Sequence, residues 1–152
     1  MKHTLEFETK INCTTEALFR FHADTKNLPL ITPSGTSVDI IQLENELKEG
    51  NTAVLKIKKG LISFVWELIF EKVEHPNLIV DVATKSPFKS FRHEHHFISI
   101  DNAHSKLKDR ITFSLPFGIL SSPIVWFIKK DMNTMFTFRH QETKRILENS
   151  SN

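Results

Sequence analysis

The sequence has no tyrosine, one cysteine, four glycines and no dominant charge, and each scarcity removes a class of function. Without a phenol, any acid or base must come from carboxylates, lysines or the 8 histidines. The single Cys13 excludes an internal disulfide framework and a multi-cysteine zinc site, and it fits a reducing compartment. Neither a GxxxxGK nor a GxGxxG arrangement occurs, which excludes a glycine-rich phosphate cradle. Lys plus Arg number 20 against 18 Asp plus Glu, too even a balance for a dedicated nucleic-acid binder. No apolar run approaches the roughly 20 residues that span a bilayer. The longest, 61–70 and 124–128, are short or interrupted. The first ten residues alternate polar and apolar, which reads as a strand and not as a signal peptide. The expectation is a cytoplasmic protein with no nucleic-acid partner and no stable membrane insertion.

What is present is oily. The chain carries 13 Phe and 2 Trp, and at 39% hydrophobic and 25% charged residues it has the composition of a folded domain. A single domain over residues 1–148 is expected, with a frayed tail at 149–152. Residues 3–11 place Leu5, Phe7 and Ile11 on one face, the period of a half-buried strand. Thr14 or Thr15 can cap a helix with Glu16 in its first turn. Asn27-Leu28-Pro29 breaks that helix, and a second short one is expected at 28–31. Strands follow at 38–43, 52–59, 61–74, 78–84, 89–100 and 106–115, separated by short turns, so neighbours should pair as an antiparallel meander. Ser121 or Ser122 caps a last helix that starts at Pro123 and ends near Glu148. Winding it at about 100° per residue gathers Ile124, Ile128, Met132, Met135, Arg139 and Ile146 on one side. Such a helix has one natural place, across the apolar face of the sheet.

Three motifs make the order specific. Pro87-Phe88-Lys89-Ser90-Phe91-Arg92-His93-Glu94-His95-His96-Phe97 resembles the P-F-x-x-W-x-H-x-H-x-F strand of bacterial ligand-binding proteins of the START-like (SRPBCC) superfamily. The run from Asp109 to Gly118 is similar to their D-x-V-x-Y-x-L-P-F-G strand and turn, and Met135-Phe136-Thr137-Phe138-Arg139 to their M-F-x-Y-R on the last helix. Leu28-Pro29-Leu30-Ile31 resembles their second short helix. Phe replaces the usual Trp at Phe91 and the usual Tyr at Phe113 and Phe138. The resemblance implies an α+β helix-grip fold: a seven-stranded curved antiparallel sheet wrapped around a long C-terminal helix, with two short helices after the first strand. It also implies the superfamily's range of roles, from lipid carriers and hormone receptors to polyketide cyclases.

The densest polar cluster is His93-Glu94-His95-His96. On a strand, His93 and His95 share a face with Phe91 and Phe97, so two imidazoles are expected to look into an apolar interior. They can orient a ligand, act as acid and base, or serve as metal ligands. The last needs a third donor from elsewhere. Asp109 is the one nearby acidic candidate on an apolar face, and no cysteine and no HExxH support a metal site, so neither a metal nor another cofactor is expected. Asp109 lies in the inward series Leu107, Asp109, Ile111, Phe113 and is expected to be buried against His95, His93 or Arg139. Opposing His95 and Asp109 requires an odd-length loop or a bulge in their hairpin. Arg139 can pair with Glu142 at the rim or turn inward toward Asp109 or a ligand carboxylate. Trp126 falls on the polar side of the last helix. It can pack on residues 28–31, meet a second copy or touch a membrane.

The leading expectation is a binder or carrier of a small apolar or amphipathic molecule. Leu55, Ile57, Phe64, Trp66, Phe91, Phe97, Leu107, Ile111, Phe113, Met132 and Met135 would wall the cavity. His93, His95, Asp109 and Arg139 would orient the ligand. The mouth would lie among 28–31, 116–120 and the start of the last helix. The alternatives are a cyclase or dehydratase using a His95–Asp109 pair, and an interaction module whose interior is packed solid.

Overall fold

A computed structural model describes residues 1–118 and 122–150. The chain runs β1 (His3–Ile11), α1 (Thr15–Ala23), a 3-10 segment (Thr25–Ile31), then β2 (Thr36–Leu43), β3 (Thr52–Lys59) and β4 (Ile62–Glu74). It continues with β5 (Leu78–Lys85), β6 (Ser90–Ser99), β7 (Ser105–Ser114), a 3-10 turn (Pro116–Gly118) and α2 (Ser122–Asn149). All seven strands form one antiparallel sheet in the order β1-β7-β6-β5-β4-β3-β2. The fold is therefore the expected α+β helix-grip arrangement. Ser121, one of the two expected helix caps, lies outside the described residues, as do 119–120 of the expected mouth and Ser151–Asn152 of the expected tail. Asn149 is the last residue of α2, and the Ser150 amide donates to Ile146 O at 3.1 Å.

Local chemistry sets the boundaries. Thr14 Oγ1 accepts from the Ala17 amide at 3.1 Å and opens α1. Asp24 does the same for Lys26 at 3.1 Å, starting the next segment three residues earlier than Leu28-Pro29 alone suggests. Gly60 takes φ 59°, the left-handed conformation that lets β3 turn directly into β4.

Register irregularities curve the sheet. One lies between Ile40 and Gln42 in β2, and two lie along the β4–β5 pairing: at Glu67/Leu68, where Thr84 of β5 is skipped, and between Phe70 and Lys72 in β4. Across the concave face, α2 is tied at both sides. Its C-terminal half is fastened to β1 by Lys144 Nζ donating to Lys10 O (3.2 Å) and by Glu148 accepting the Asn12 amide (3.0 Å). Nearer its start, Asp131 pairs with Lys59 of β3.

Two apolar clusters fill the ends of the concave face. One joins Ile11, Leu18, Phe19, Phe70, Ile79, Phe97 and Leu107 beneath α1. The other joins Phe91, Ile111, Phe113, Met132 and Phe136 beneath α2. Alternation along β4 points Phe64, Trp66 and Leu68 inward, while Leu61 and Ile62 at the hairpin tip stand in solvent. Phe97 is 1% exposed and meets Phe19 edge-on at 5.9 Å. Replacing it with Ala should cost roughly 3–5 kcal/mol of unfolding free energy in urea. Leu61→Ser, at a fully exposed position, should stay within about 0.5 kcal/mol of the parent. Similar losses from both would mean that the strand faces are misassigned.

Candidate functional site

The site begins with strand adjacency. β5, β6 and β7 lie side by side, and their register sets Asp81 opposite His93 and His95 opposite Asp109. The β6–β7 hairpin closes at Ser99 and Ser105 around an odd-length loop, residues 100–104, so Phe97 faces Leu107 and His93 faces Ile111. Two imidazoles and two carboxylates thus share the concave face. Sheet twist makes the close contacts diagonal.

His93 Nε2 lies 2.7 Å from Asp109 Oδ1, and His95 Nε2 lies 2.9 Å from Asp81 Oδ2. His95 Nδ1 is in ion-pair contact with Asp109 Oδ1 at 3.2 Å without completing a hydrogen bond. From α2, His140 Nε2 reaches Asp109 Oδ2 at 2.6 Å. Its Nδ1 is 2.8 Å from Thr9 Oγ1 of β1. Asp109, 3% exposed, therefore has three imidazoles around it, while Arg139 makes no ion pair to it among the described residues.

Burial and charge compete in this cluster. Burial pushes the Asp109 carboxyl up, but its electrostatic coupling to the neighbouring His93 and the hydrogen bonds it shares with His140 and His93 prevail and hold it well below the usual carboxylate range. Asp81 is also lowered: burial opposes ionisation, and the hydrogen bond from His95 outweighs it. Burial also opposes a charge on His95, yet the carboxylates of Asp109 and Asp81 raise it to about 9. His93 is lowered by burial and by the neighbouring His95 charge. His22 of α1, its ring 5.8 Å from that of His95, is lowered to about 4 by burial and the same charge. The two carboxylates thus favour the charged form of His95 in particular.

The cluster lies in the wall of a cavity of about 610 Å³ between sheet and α2. The wall includes Leu55, Ile57, Phe64, Trp66, Phe91, Leu107, Met132 and Met135, together with His93, His95, Asp109 and Arg139. Phe97, Ile111 and Phe113 share their strand faces but not this wall. They are 1%, 0% and 0% exposed and packed solid, because α1 covers one end of the face and Phe88 with α2 the other. Arg139 does not bridge to Glu142, which pairs with Arg145 at 2.7 Å. Its guanidinium lies over the Phe136 ring at 5.1 Å, and its buried Nε has no hydrogen-bond partner among the described residues. Burial lowers its pKa against the pull of Asp109 and Asp81. Trp126 is 59% exposed, with Lys130 Nζ 5.0 Å from its ring and Phe127 beside it, so it stands in solvent and is not packed away.

Two members of the site were not anticipated. Asp81 follows the inward alternation Ile79, Asp81, Ala83, a signal that period 2 in β5 carries. His140 belongs to the buried stripe Met132, Phe136, His140, Thr143 and Leu147. The expected stripe through Met135 and Arg139 is offset from it by about one residue, which is enough to hide His140.

Removing the Asp109 carboxylate leaves buried imidazoles without their acceptor. Asp109→Ala should cost about 3–5 kcal/mol in denaturant unfolding. Asp109→Asn, which keeps one acceptor oxygen, should cost about 1–3 kcal/mol. Two variants as stable as the parent would show that the carboxylate does not organise the cluster.

No curated protein matches the chain by sequence. Solved structures match its fold at low identity. An aromatase/cyclase from Streptomyces sp. R1128 superposes with a TM-score of 0.81 at 11% identity, covering 100% of this chain and 97% of that one. A START superfamily protein from Mycobacterium smegmatis gives 0.72 at 11% identity, with 97% and 98% covered. A norcoclaurine synthase point mutant from Thalictrum flavum gives 0.74 at 9% identity, with 100% and 98% covered. No helix among the described residues is long and apolar enough to cross a membrane. The family model described as polyketide cyclase / dehydrase and lipid transport matches residues 11–138, and with strand order, gripping helix and central cavity all in agreement, the chain belongs to that family.

Proposed function

We propose that the protein binds and carries a small apolar or amphipathic molecule in the cavity between the sheet and α2. The cavity itself carries this reading. Its volume, about 610 Å³, suits a small organic ligand, and most of its wall is carbon. Trp66 and Phe91 meet edge-on at 4.8 Å, Phe88 closes on both, and Met132 and Met135 supply adaptable contacts from the helix. His93, His95, Asp109 and Arg139 add a buried polar group to that wall and would fix the orientation of an otherwise oily guest. The family's printed description, which includes lipid transport, supports the same reading.

A second reading rests on the His–Asp cluster. A histidine held between two carboxylates on a cavity wall is the arrangement of a general acid or base, with His95 as the proton carrier and Asp109 fixing its orientation. The likeness to an aromatase/cyclase keeps cyclisation or dehydration as the reaction class to test.

The neutral fluorophore N-phenyl-1-naphthylamine should bind saturably at one molecule per chain, with quenching of Trp66. Met135→Trp, which fills the cavity from α2, should weaken binding at least about tenfold while the far-ultraviolet circular dichroism is unchanged. Absence of saturable binding, together with native mass spectra free of any co-purified small molecule, would sink the carrier reading. Turnover of a poly-β-ketone thioester that is lost in His95→Gln would establish the enzymatic one instead.

A further inference from the structure

We propose that Asp81, His93 and His95 form a binding site for one divalent transition-metal ion of the zinc class. The His-x-His spacing of β6 offers two donors and lacks a third; the neighbouring strand supplies it. Asp81 Oδ2 is 2.9 Å from His95 Nε2 and 3.9 Å from His93 Nδ1, and the three donor atoms all lie within 4.8 Å of one another. Zinc with ligands at about 2.0–2.2 Å separates neighbouring donors by roughly 3.3 Å, so small rotations about the side-chain bonds bring these three onto one ion. Two nitrogens and a carboxylate oxygen form a donor set for zinc, iron(II) or cobalt(II), not for calcium or magnesium.

The surroundings of the three donors carry the inference further than their spacing. The far nitrogens of both imidazoles address one oxygen, Asp109 Oδ1: His93 Nε2 at 2.7 Å and His95 Nδ1 at 3.2 Å. With the protons of both rings on these Asp109-facing nitrogens, His93 Nδ1 and His95 Nε2 turn lone pairs toward Asp81 Oδ2. Three lone pairs then converge on one point and require a cation among them. A carboxylate behind metal-bound imidazoles is the usual device for fixing tautomer and ring orientation. Asp109 is held in turn through its other oxygen by His140, which Thr9 anchors to β1. Asp109 and His140 are thus positioning residues for the site.

Burial gives the ion a defined setting. His93 is 6% and Asp81 9% exposed, and all three donors belong to the cavity wall. Three protein ligands leave at least one coordination position, and the cavity is where water or an oxygen atom of a guest molecule would take it. The ion would neutralise the Asp81 and Asp109 charges that a proton on His95 otherwise balances in part. Its presence does not depend on the cavity carrying a lipid-like guest.

The test uses the full chain, stripped with a chelator and dialysed into a non-coordinating buffer near neutral pH. Titration with cobalt(II) should give visible d–d absorption that saturates at one ion per chain and is displaced by zinc. Asp81→Asn and His93→Gln should each weaken binding by at least about tenfold, and Asp109→Asn by about 10–100-fold. His104→Gln, at a half-exposed histidine that pairs with Asp101 away from the cluster, should leave binding unchanged. If a variant fails to fold, nitrogen-15 spectra of the parent decide: zinc should move the His93 Nδ1 and His95 Nε2 resonances and leave those of His104 in place. No saturable absorption, absorption that survives Asp81→Asn combined with His93→Gln, or unmoved His93 and His95 resonances would overturn the proposal and leave a proton as the shared cation.

Discussion

A carboxylate shut away from water must find positive or donating partners, and Asp109 imposes that demand on three elements at once. It stands on β7, takes His93 and His95 from β6, and takes His140 from α2. The last contact constrains the helix. With His140 turned inward, Met132, Phe136, Thr143 and Leu147 must follow it, because they lie three or four residues apart on the same side. The rotation of α2, and hence which side chains it presents to the cavity, is tied to one buried acid.

The cavity follows from a mismatch of shapes. Bulges bend β2, β4 and β5, so the sheet is concave while the helix crossing it is a rod of 28 residues. The rod is held to β1 at one side and to β3 at the other, and it cannot follow the concavity in between. Apolar side chains close the two ends where the surfaces meet. The gap that remains has carbon on most of its wall and the His–Asp cluster on part of it. A fully packed interior would have turned those same residues into core, as happened to Phe97, Ile111 and Phe113.

Much of this was legible before any coordinates. Alternation in β4 identified Phe64 and Trp66 as inward residues, and face matching in the β6–β7 hairpin required an odd-length loop that sets His95 against Asp109. Asp109 stood out because an acid in a run of Leu, Ile and Phe breaks the pattern of a buried face. Asp81 did not stand out, because both its neighbours, Val80 and Val82, are apolar and its strand reads as hydrophobic on either face. His140 was hidden by the angular tolerance of a helix, where an error of one residue turns the stripe by about 100°.

The succession of elements, the antiparallel pairing of consecutive strands and the inward face of most strands were readable from the residues alone. These depend on turn chemistry and on short periodicities that act within a few residues. The packing of the whole chain settled which histidine met which carboxylate, that Arg139 makes no ion pair among the described residues, and that Asp81 of β5 joins the histidines of β6. Those outcomes depend on sheet twist and on helix rotation, which are set by the packing of the whole molecule. Twist carries each side chain toward its diagonal neighbour, so the register that pairs His95 with Asp109 delivers His93 to Asp109 and His95 to Asp81.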